Sequence, residues 1–392
     1  MRATWVRAEA RTLQSGPLPV VPQAAALCEN RCLHTERNYR LLVVRLGAMG
    51  DILHALPAVT ALRRAHPEWR IDWVVEPRWR ELLEAPAIGD QGSPVRSGRG
   101  LWRPVVDGIF VAAVKEWGRR PLSGKTLGEI RELRRALRAG GYDAAIDFQG
   151  AVRSAAIARM AGARRVVGEA EPREWVARWL FTERVATRGK HVIEQDVEVA
   201  RAVAGDGLEC ERPLLPVDPE AERWCDGLLG AGGGAVVLMN PGAGWGAKRW
   251  PPERYGAVAR GLAERGMRVL VNRGPGEEEL AEVVVRACAG GAQAVAPTLG
   301  QLIALTRRAA LAVGGDSGPL HLACALGVPV VGIYGPTDPT RNGPFGTRAR
   351  VLRSPLSRRD HTRRAAPEAG LLTIAPEEAL RAAGELLDAG MA

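Results

Sequence analysis

Short apolar runs alternate along the chain with segments whose apolar positions recur every three or four residues, and glycine or proline marks most of the junctions. The run at 41–45 predicts a buried strand. The turn GAMGD follows it, and Ile52, Leu53, Leu56, Val59 and Leu62 then keep the spacing of one helical face. Pro57 inside that pattern predicts a kink, or the point where the regular helix begins. The alternation continues with strands at 71–75 and 106–114, a helix at 127–139, a strand at 143–148 ending in the turn FQG, and helices at 151–160 and 192–203. A second series then starts: strand 235–239, helix 253–265, strand 268–271, helix 278–289, and an apolar segment at 302–312 leading to a strand that ends at Val313. Strands alternating with helices in both halves predict an α/β chain with two Rossmann-like, doubly wound parallel sheets facing a central cleft.

The proline-containing span 208–217 reads as a linker between a first domain at 39–207 and a second at 218–392, whose last helix is free to pack back on the first domain. Residues 86–104, rich in Gly, Pro, Ser and Arg, predict a surface loop. In residues 1–38, Pro17, Pro19 and Pro22 interrupt the one signal-like apolar stretch, so this segment reads as a poorly ordered extension.

The densest signal runs from Gly314 to Gly346, GGDSGPLHLACALGVPVVGIYGPTDPTRNGPFG. Glycines at 314, 315 and 318 permit a sharp turn after the strand. Ser317 suits a helix cap and Pro319 the first turn, Leu320, Leu322, Ala323 and Leu326 give an apolar face, and Gly327 and Pro329 end the helix. A strand at 328–334 completes a βαβ unit whose helix start can hold an anion such as a diphosphate; an ordinary βαβ turn is the plainer alternative. The loop after Tyr334, with three glycines and three prolines in twelve residues, is shaped rather than flexible and lies where parallel sheets bind ligands.

Charge narrows the partners. Lys and Arg number 54 against 44 Asp and Glu, a net charge of 54 − 44 = +10 that favours nucleotide phosphates, an acidic lipid surface or nucleic acid. Aromatic residues are only 5%, which argues against base-stacking platforms and so against nucleic acid. The span 348–364 holds seven arginines and one aspartate and could meet an anionic membrane at roughly 1 kcal/mol per basic residue. No apolar run reaches the ~18 residues of a membrane span. Six cysteines without a CxxC pair suggest a reduced, cytosolic protein, and Cys28, Cys32 and His34 lack a fourth ligand at finger-like spacing.

The D-[ST]-G-x-x-H-L pattern at Asp316, Ser317, Gly318, His321 and Leu322 and the YGPTDP at 334–339 resemble the nucleotide-sugar motif of the lipopolysaccharide heptosyltransferases, glycosyltransferase family 9. MGDILHALP at 49–57 and KRWP at 248–251 resemble the same family, and IDWVVE at 71–76 most resembles the member that adds the first heptose. The resemblance implies GT-B architecture and inverting transfer of L-glycero-D-manno-heptose from ADP-heptose to the Kdo of lipid A. It implies a cytoplasmic setting, peripheral on the inner membrane, with no cofactor or metal. The second heptosyltransferase, or a transferase using another ADP- or GDP-sugar, is the alternative within the class. A non-catalytic nucleotide-binding protein is the alternative outside it, and an oxidoreductase is disfavoured because no G-x-G-x-x-G follows an early strand.

On the residues alone a helix cap is the favoured reading of Asp51; on the family pattern it is the catalytic base. Lys248 would meet the donor diphosphate, together with the backbone amides at Asp316, Ser317 and Gly318. Glu278 would accept hydrogen bonds from the ribose, Asp316 would contact donor hydroxyls, and Thr337 would shape the pocket. His321 would contact sugar or phosphate or serve as a hydrogen-bonded core residue. Arg119, Arg120 and Arg153 are candidates for the acceptor's acidic groups; solvated surface arginines are the other reading.

Overall fold

The computed structural model describes residues 39–86, 98–230, 234–360 and 362–391. The extension at 1–38, with Cys28, Cys32 and His34, and residues 87–97 of the predicted loop lie outside the described residues. In the amino-terminal half, strands β1 (Arg40–Val44), β2 (Arg70–Val75), β3 (Gly108–Val111), β4 (Ala144–Asp147), β5 (Arg165–Glu169) and β6 (Glu183–Val185) form one sheet. Around it lie helices α1 (Met49–Ala65), α2 (Val114–Arg119), α3 (Gly124–Gly140), α4 (Val152–Met160) and α5 (Val192–Ala204). The second sheet holds β7 (Val236–Asn240), β8 (Arg268–Asn272), β9 (Ala292–Val295), β10 (Ala309–Gly315), β11 (Val330–Tyr334) and β12 (Ala349–Arg353). Its helices are α6 (Pro219–Leu229), α7 (Pro252–Glu264), α8 (Glu278–Ala287), α9 (Leu299–Arg307), α10 (Gly318–Ala325), α11 (Pro339–Asn342) and α12 (Pro376–Met391).

Every pairing is parallel, in the orders β3-β2-β1-β4-β5-β6 and β12-β11-β10-β7-β8-β9. The two sheets therefore share one winding, with the order reversing between β1 and β4 and between β7 and β10. The central strands are buried on both faces, which is why Leu41 to Val44 and Val236 to Met239 read as continuous apolar runs rather than alternating ones. At each reversal the strands end level, Val44 beside Asp147 and Gly314 beside Asn240, opening a crevice at their carboxyl ends.

Local chemistry sets the element ends. Thr298 and Gln301 close a capping box on α9: the Thr298 hydroxyl accepts the Gln301 N–H at 3.2 Å, and the Gln301 side chain accepts the Thr298 N–H at 2.9 Å. That cap splits the apolar segment predicted at 302–312 into α9 and β10. The strand predicted at 106–114 is shorter, 108–111, because β3 is an edge strand and Val114 opens α2, held by the buried Trp117. The arginine-rich span 348–364 is folded rather than a loose arm. It contains β12, and Arg350, Arg353, Arg359 and Arg364 hold Glu385, the Gly335 carbonyl, Asp338 and Asp360. Helix α12 does not pack back on the amino-terminal half. Ala379, Ala382, Ala383 and Leu386 are buried against Val331, Ile333 and Leu352, so its apolar face is satisfied by its own sheet.

The halves meet along α1 and α10. Leu302, Ile303, Leu322 and Ala325 of the second half share one apolar core with Ile52, Leu56, Val59 and Leu62 of α1. Two glycines let the helix starts approach: a Cβ on Gly50 would lie 2.8 Å from the His321 ring, and one on Gly318 would lie 2.6 Å from the Met49 sulfur. The predicted linker is pinned to this junction. Leu215 is buried, Leu214 N–H donates to Thr60 Oγ1 at 3.2 Å, and Arg307 donates to the Leu215 and Pro216 carbonyls.

Candidate active site

A cleft of ≈ 750 Å³ lies between the two crevices, lined by the loops after β1, β4, β7 and β10. On the amino-terminal rim Asp51 stands at the third position of α1. One carboxylate oxygen accepts the Ala48 N–H at 2.9 Å and the other lies 3.4 Å from Arg45, while the side chain keeps 39% of its surface open to the cleft. Both readings of Asp51 hold in the geometry, since the carboxylate closes the helix start and still faces the cleft.

Arg45 holds this rim together. Its guanidinium is buried at the end of β1 and donates to the Asp51 carbonyl at 3.2 Å and to the Phe148 carbonyl, while its own carbonyl accepts the buried Trp73 indole N–H at 3.0 Å. The FQG turn is fixed by Asp147, which accepts from Gln149 N–H, Gly150 N–H and Ser154 hydroxyl. Burial pushes the Asp147 carboxyl up to about 6, with those hydrogen bonds opposing the shift. Asp196 reaches the same rim from α5 with one carboxylate oxygen unpartnered among the described residues. Burial, with Glu169 and Asp51 adding to it, pushes Asp196 up to about 7 against the pull of Arg45 and Arg341.

On the carboxyl-terminal rim, Lys248 projects from the loop after β7, over the Trp245 ring at 4.1 Å, and ion-pairs with Asp316 at the end of β10. The other Asp316 oxygen lies 3.0 Å from His321 Nε2. Burial alone would raise the Asp316 carboxyl, but the hydrogen bond from His321 and the charge of Lys248 outweigh it and hold it well below the ordinary carboxylate range. Around this pair the Ser317 hydroxyl, Thr337 hydroxyl and Trp245 indole N–H line the cleft without a hydrogen-bond partner among the described residues. Ser317 occupies the cap position of α10, yet its side chain makes no cap hydrogen bond, which corrects the expected role. Three buried polar groups without partners beside a lysine and a helix start call for an explanation, which a bound anion would supply.

Asp51, Arg153, Lys248, Asp316, Ser317, Gly318, His321 and Thr337 thus converge on one cleft. Glu278, Arg119 and Arg120 are not among its lining residues. Glu278 points outward, 3.6 Å from Arg273, whereas its neighbour Glu277 accepts the Gly274 N–H at 2.9 Å and lies against Gly242 in the loop after β7. Arg119 and Arg120 sit at the solvent end of α2, and the basic residue of that helix on the cleft is Lys115. Residues the sequence reading passed over include Arg45, His54, Asp196 and Trp245. The visible signal for Asp196 was a carboxylate three places after Ile193 on the buried face of a helix.

Residues 130–371 match glycosyltransferase family 9 (heptosyltransferase). Lipopolysaccharide heptosyltransferase 1 of Escherichia coli K12 is 30% identical over 321 residues, 81% of this chain and 94% of the relative. The structure of E. coli heptosyltransferase WaaC with ADP is similar with a TM-score of 0.71 and 25% identity, covering 88% of this chain and 99% of that one. The same protein with ADP-2-deoxy-2-fluoro heptose gives 0.69 over the same shares. Paired parallel sheets whose switch points oppose each other across a cleft are the GT-B arrangement, and the class they define here is a glycosyltransferase. More narrowly, the chain belongs to glycosyltransferase family 9, the heptosyltransferases.

Proposed function

We propose that this protein transfers L-glycero-D-manno-heptose from ADP-heptose to the Kdo of lipid A, in assembly of the lipopolysaccharide inner core. The observation that carries the reading is the opposition of Asp51 to the Lys248–Asp316 pair and the α10 start across one cleft. The family relation and the bound ADP and ADP-sugar of its structural relative support it.

In this reading the diphosphate lies on Lys248 and the amides at the start of α10, with the open hydroxyls of Ser317 and Thr337 beside it. Glu278 or its neighbour Glu277 accepts the ribose hydroxyls. Asp51 takes the proton of the Kdo hydroxyl as its oxygen attacks the anomeric carbon from the face opposite the diphosphate. The anomeric carbon–oxygen bond breaks, its electron pair leaves with ADP, and the configuration inverts. Lys248 and the helix dipole stabilise the charge that grows on the leaving group, so the step calls on no metal or further cofactor. Arg153 and Lys115, with Arg173 beside them, address the acidic groups of the acceptor in place of Arg119 and Arg120. Among the described residues no helix is long and apolar enough to cross a membrane, and we place the enzyme on the cytoplasmic face of the inner membrane, where it meets its lipid acceptor.

ADP release with ADP-heptose and either Kdo-lipid A or its heptosylated product tests this. Turnover on Kdo-lipid A alone is the expected result. Turnover only on the heptosylated lipid would reassign the protein to the second heptose, and ADP binding without turnover on either would leave a nucleotide-binding protein.

A further inference from the structure

Between β5 and β6 the chain makes a short 3-10 turn at Trp175–Leu180. Ala177 and Phe181 are buried and anchor it; a Cβ on Gly168 would strike the Phe181 ring at 2.5 Å. Held in that way, the turn points Trp175, Val176 and Trp179 outward, with the two indoles 65% and 64% exposed. Large apolar side chains grouped so closely on a surface mark a contact site, whereas single ones are ordinary. Basic groups surround them. The Arg178 and Arg184 guanidiniums lie 5.8 and 5.3 Å from the centre of the Trp179 ring.

The turn is tied to the acceptor rim of the cleft. Glu174 N–H donates to the Gly150 carbonyl at 2.8 Å, its carboxylate accepts the Val152 N–H at the start of α4 at 2.9 Å, and Arg173 and Glu174 line the cleft itself. Tryptophan beside arginine is the chemistry of the bilayer interface, where the ring sits at headgroup depth and the cation meets lipid phosphate. A second copy of the same patch would bring arginine against arginine, which disfavours self-association.

We propose that Trp175, Val176 and Trp179, with Arg173, Arg178 and Arg184, form the surface on which the protein docks to an anionic bilayer, next to the rim that receives the lipid-borne acceptor. The proposal rests on the transfer reading for its acceptor and moves the membrane contact away from the span 348–364, where four of the arginines are already engaged. Docking holds the cleft mouth at headgroup level, so the acceptor sugar reaches Asp51 without its acyl chains leaving the bilayer.

The test is co-sedimentation of the full chain with vesicles of phosphatidylethanolamine and phosphatidylglycerol. Trp175→Ala/Trp179→Ala is expected to lower partitioning by roughly 10-fold with ADP affinity unchanged, since both side chains are exposed. Arg178→Gln/Arg184→Gln is expected to lose a similar factor at low salt and little at high salt. For acceptor embedded in vesicles KM rises with the tryptophan variant, and for deacylated acceptor in solution it does not. Unchanged vesicle binding by both variants, equal binding of wild type to phosphatidylcholine, or a dimer that the tryptophan variant abolishes would each overturn the proposal. Vesicle binding that depends on the tryptophans, without ADP release from ADP-heptose, would remove the transfer reading and leave the docking surface in place.

Discussion

His54 Nε2 lies 3.2 Å from His321 Nδ1, so two buried imidazoles join α1 of one half to α10 of the other. His321 Nε2 faces an ionised Asp316 carboxylate that can only accept, and therefore carries a proton. His54 Nε2 and His321 Nδ1 share one proton between them. Burial above all, with the charges of His321, His191 and Arg45 adding to it, pushes the His54 ring well below the ordinary histidine range and keeps it neutral. The line from His54 through His321 to Asp316 ends at Lys248. His54→Ala is expected to weaken ADP binding by roughly 10-fold, the worth of one hydrogen bond to a charged network. His54→Gln, which can place an amide N–H near the same spot, should recover most of it. Calorimetry with ADP checks this, and a His54→Ala/His321→Ala protein that binds no worse than His321→Ala would show that His54 acts through His321.

Asp51→Asn keeps the size of the side chain and the oxygen that accepts the Ala48 N–H but cannot take a proton. We expect kcat to fall by about 10²- to 10⁴-fold with ADP affinity nearly unchanged. Turnover close to wild type would assign Asp51 to the helix cap alone.

Lys248 and Asp316 form a pair whose side chains are 12% and 7% exposed. Removing one charge strands the other: Lys248→Met should cost on the order of 3 kcal/mol of stability and raise the Kd for ADP by about 10- to 100-fold. Lys248→Met/Asp316→Asn should regain the stability without regaining the ADP affinity. Urea unfolding and ADP titration on the same preparations separate the two effects.

Asp196 gives a pH signature. Its carboxyl is raised in the folded protein to about 7, whereas in the unfolded chain it titrates near ~4, so the folded state binds the proton more tightly. Its contribution is therefore most favourable below about pH 4 and is lost as pH rises towards 7. Asp196→Asn removes that slope, and its melting temperature should exceed wild type most at pH 8, with the gap closing towards pH 4. A gap that widens on acidification would contradict the burial argument.

The central strands and their helices were legible because burial on both faces writes continuous apolar runs. Some outer strands were not: β6 is three residues long, and β9 reads AQAV with two of its four residues exposed, although the edge strand β3 did show in the pattern. The site followed the same rule. Lys248 and Asp316 stand in glycine-marked loops that announce themselves, whereas His54 and Asp196 sit in helical patterns where a polar residue looks like surface until the partner half is present. Glu277 and Glu278 differ by one place in sequence, and only the turn at Gly274, whose N–H Glu277 accepts, shows that the two carboxylates point different ways.

Gly50 and Gly318 bring the two helix starts together, and the apolar core runs through their junction. Cutting away the first half would uncover Leu302, Ile303 and Leu322, and cutting away the second would uncover Ile52, Leu56 and Val59. Any widening of the cleft that leaves this core intact has to pivot about α1 and α10. A methyl group added at Gly50 would meet the His321 ring and wedge the two helix starts, and with them the two rims of the cleft, apart.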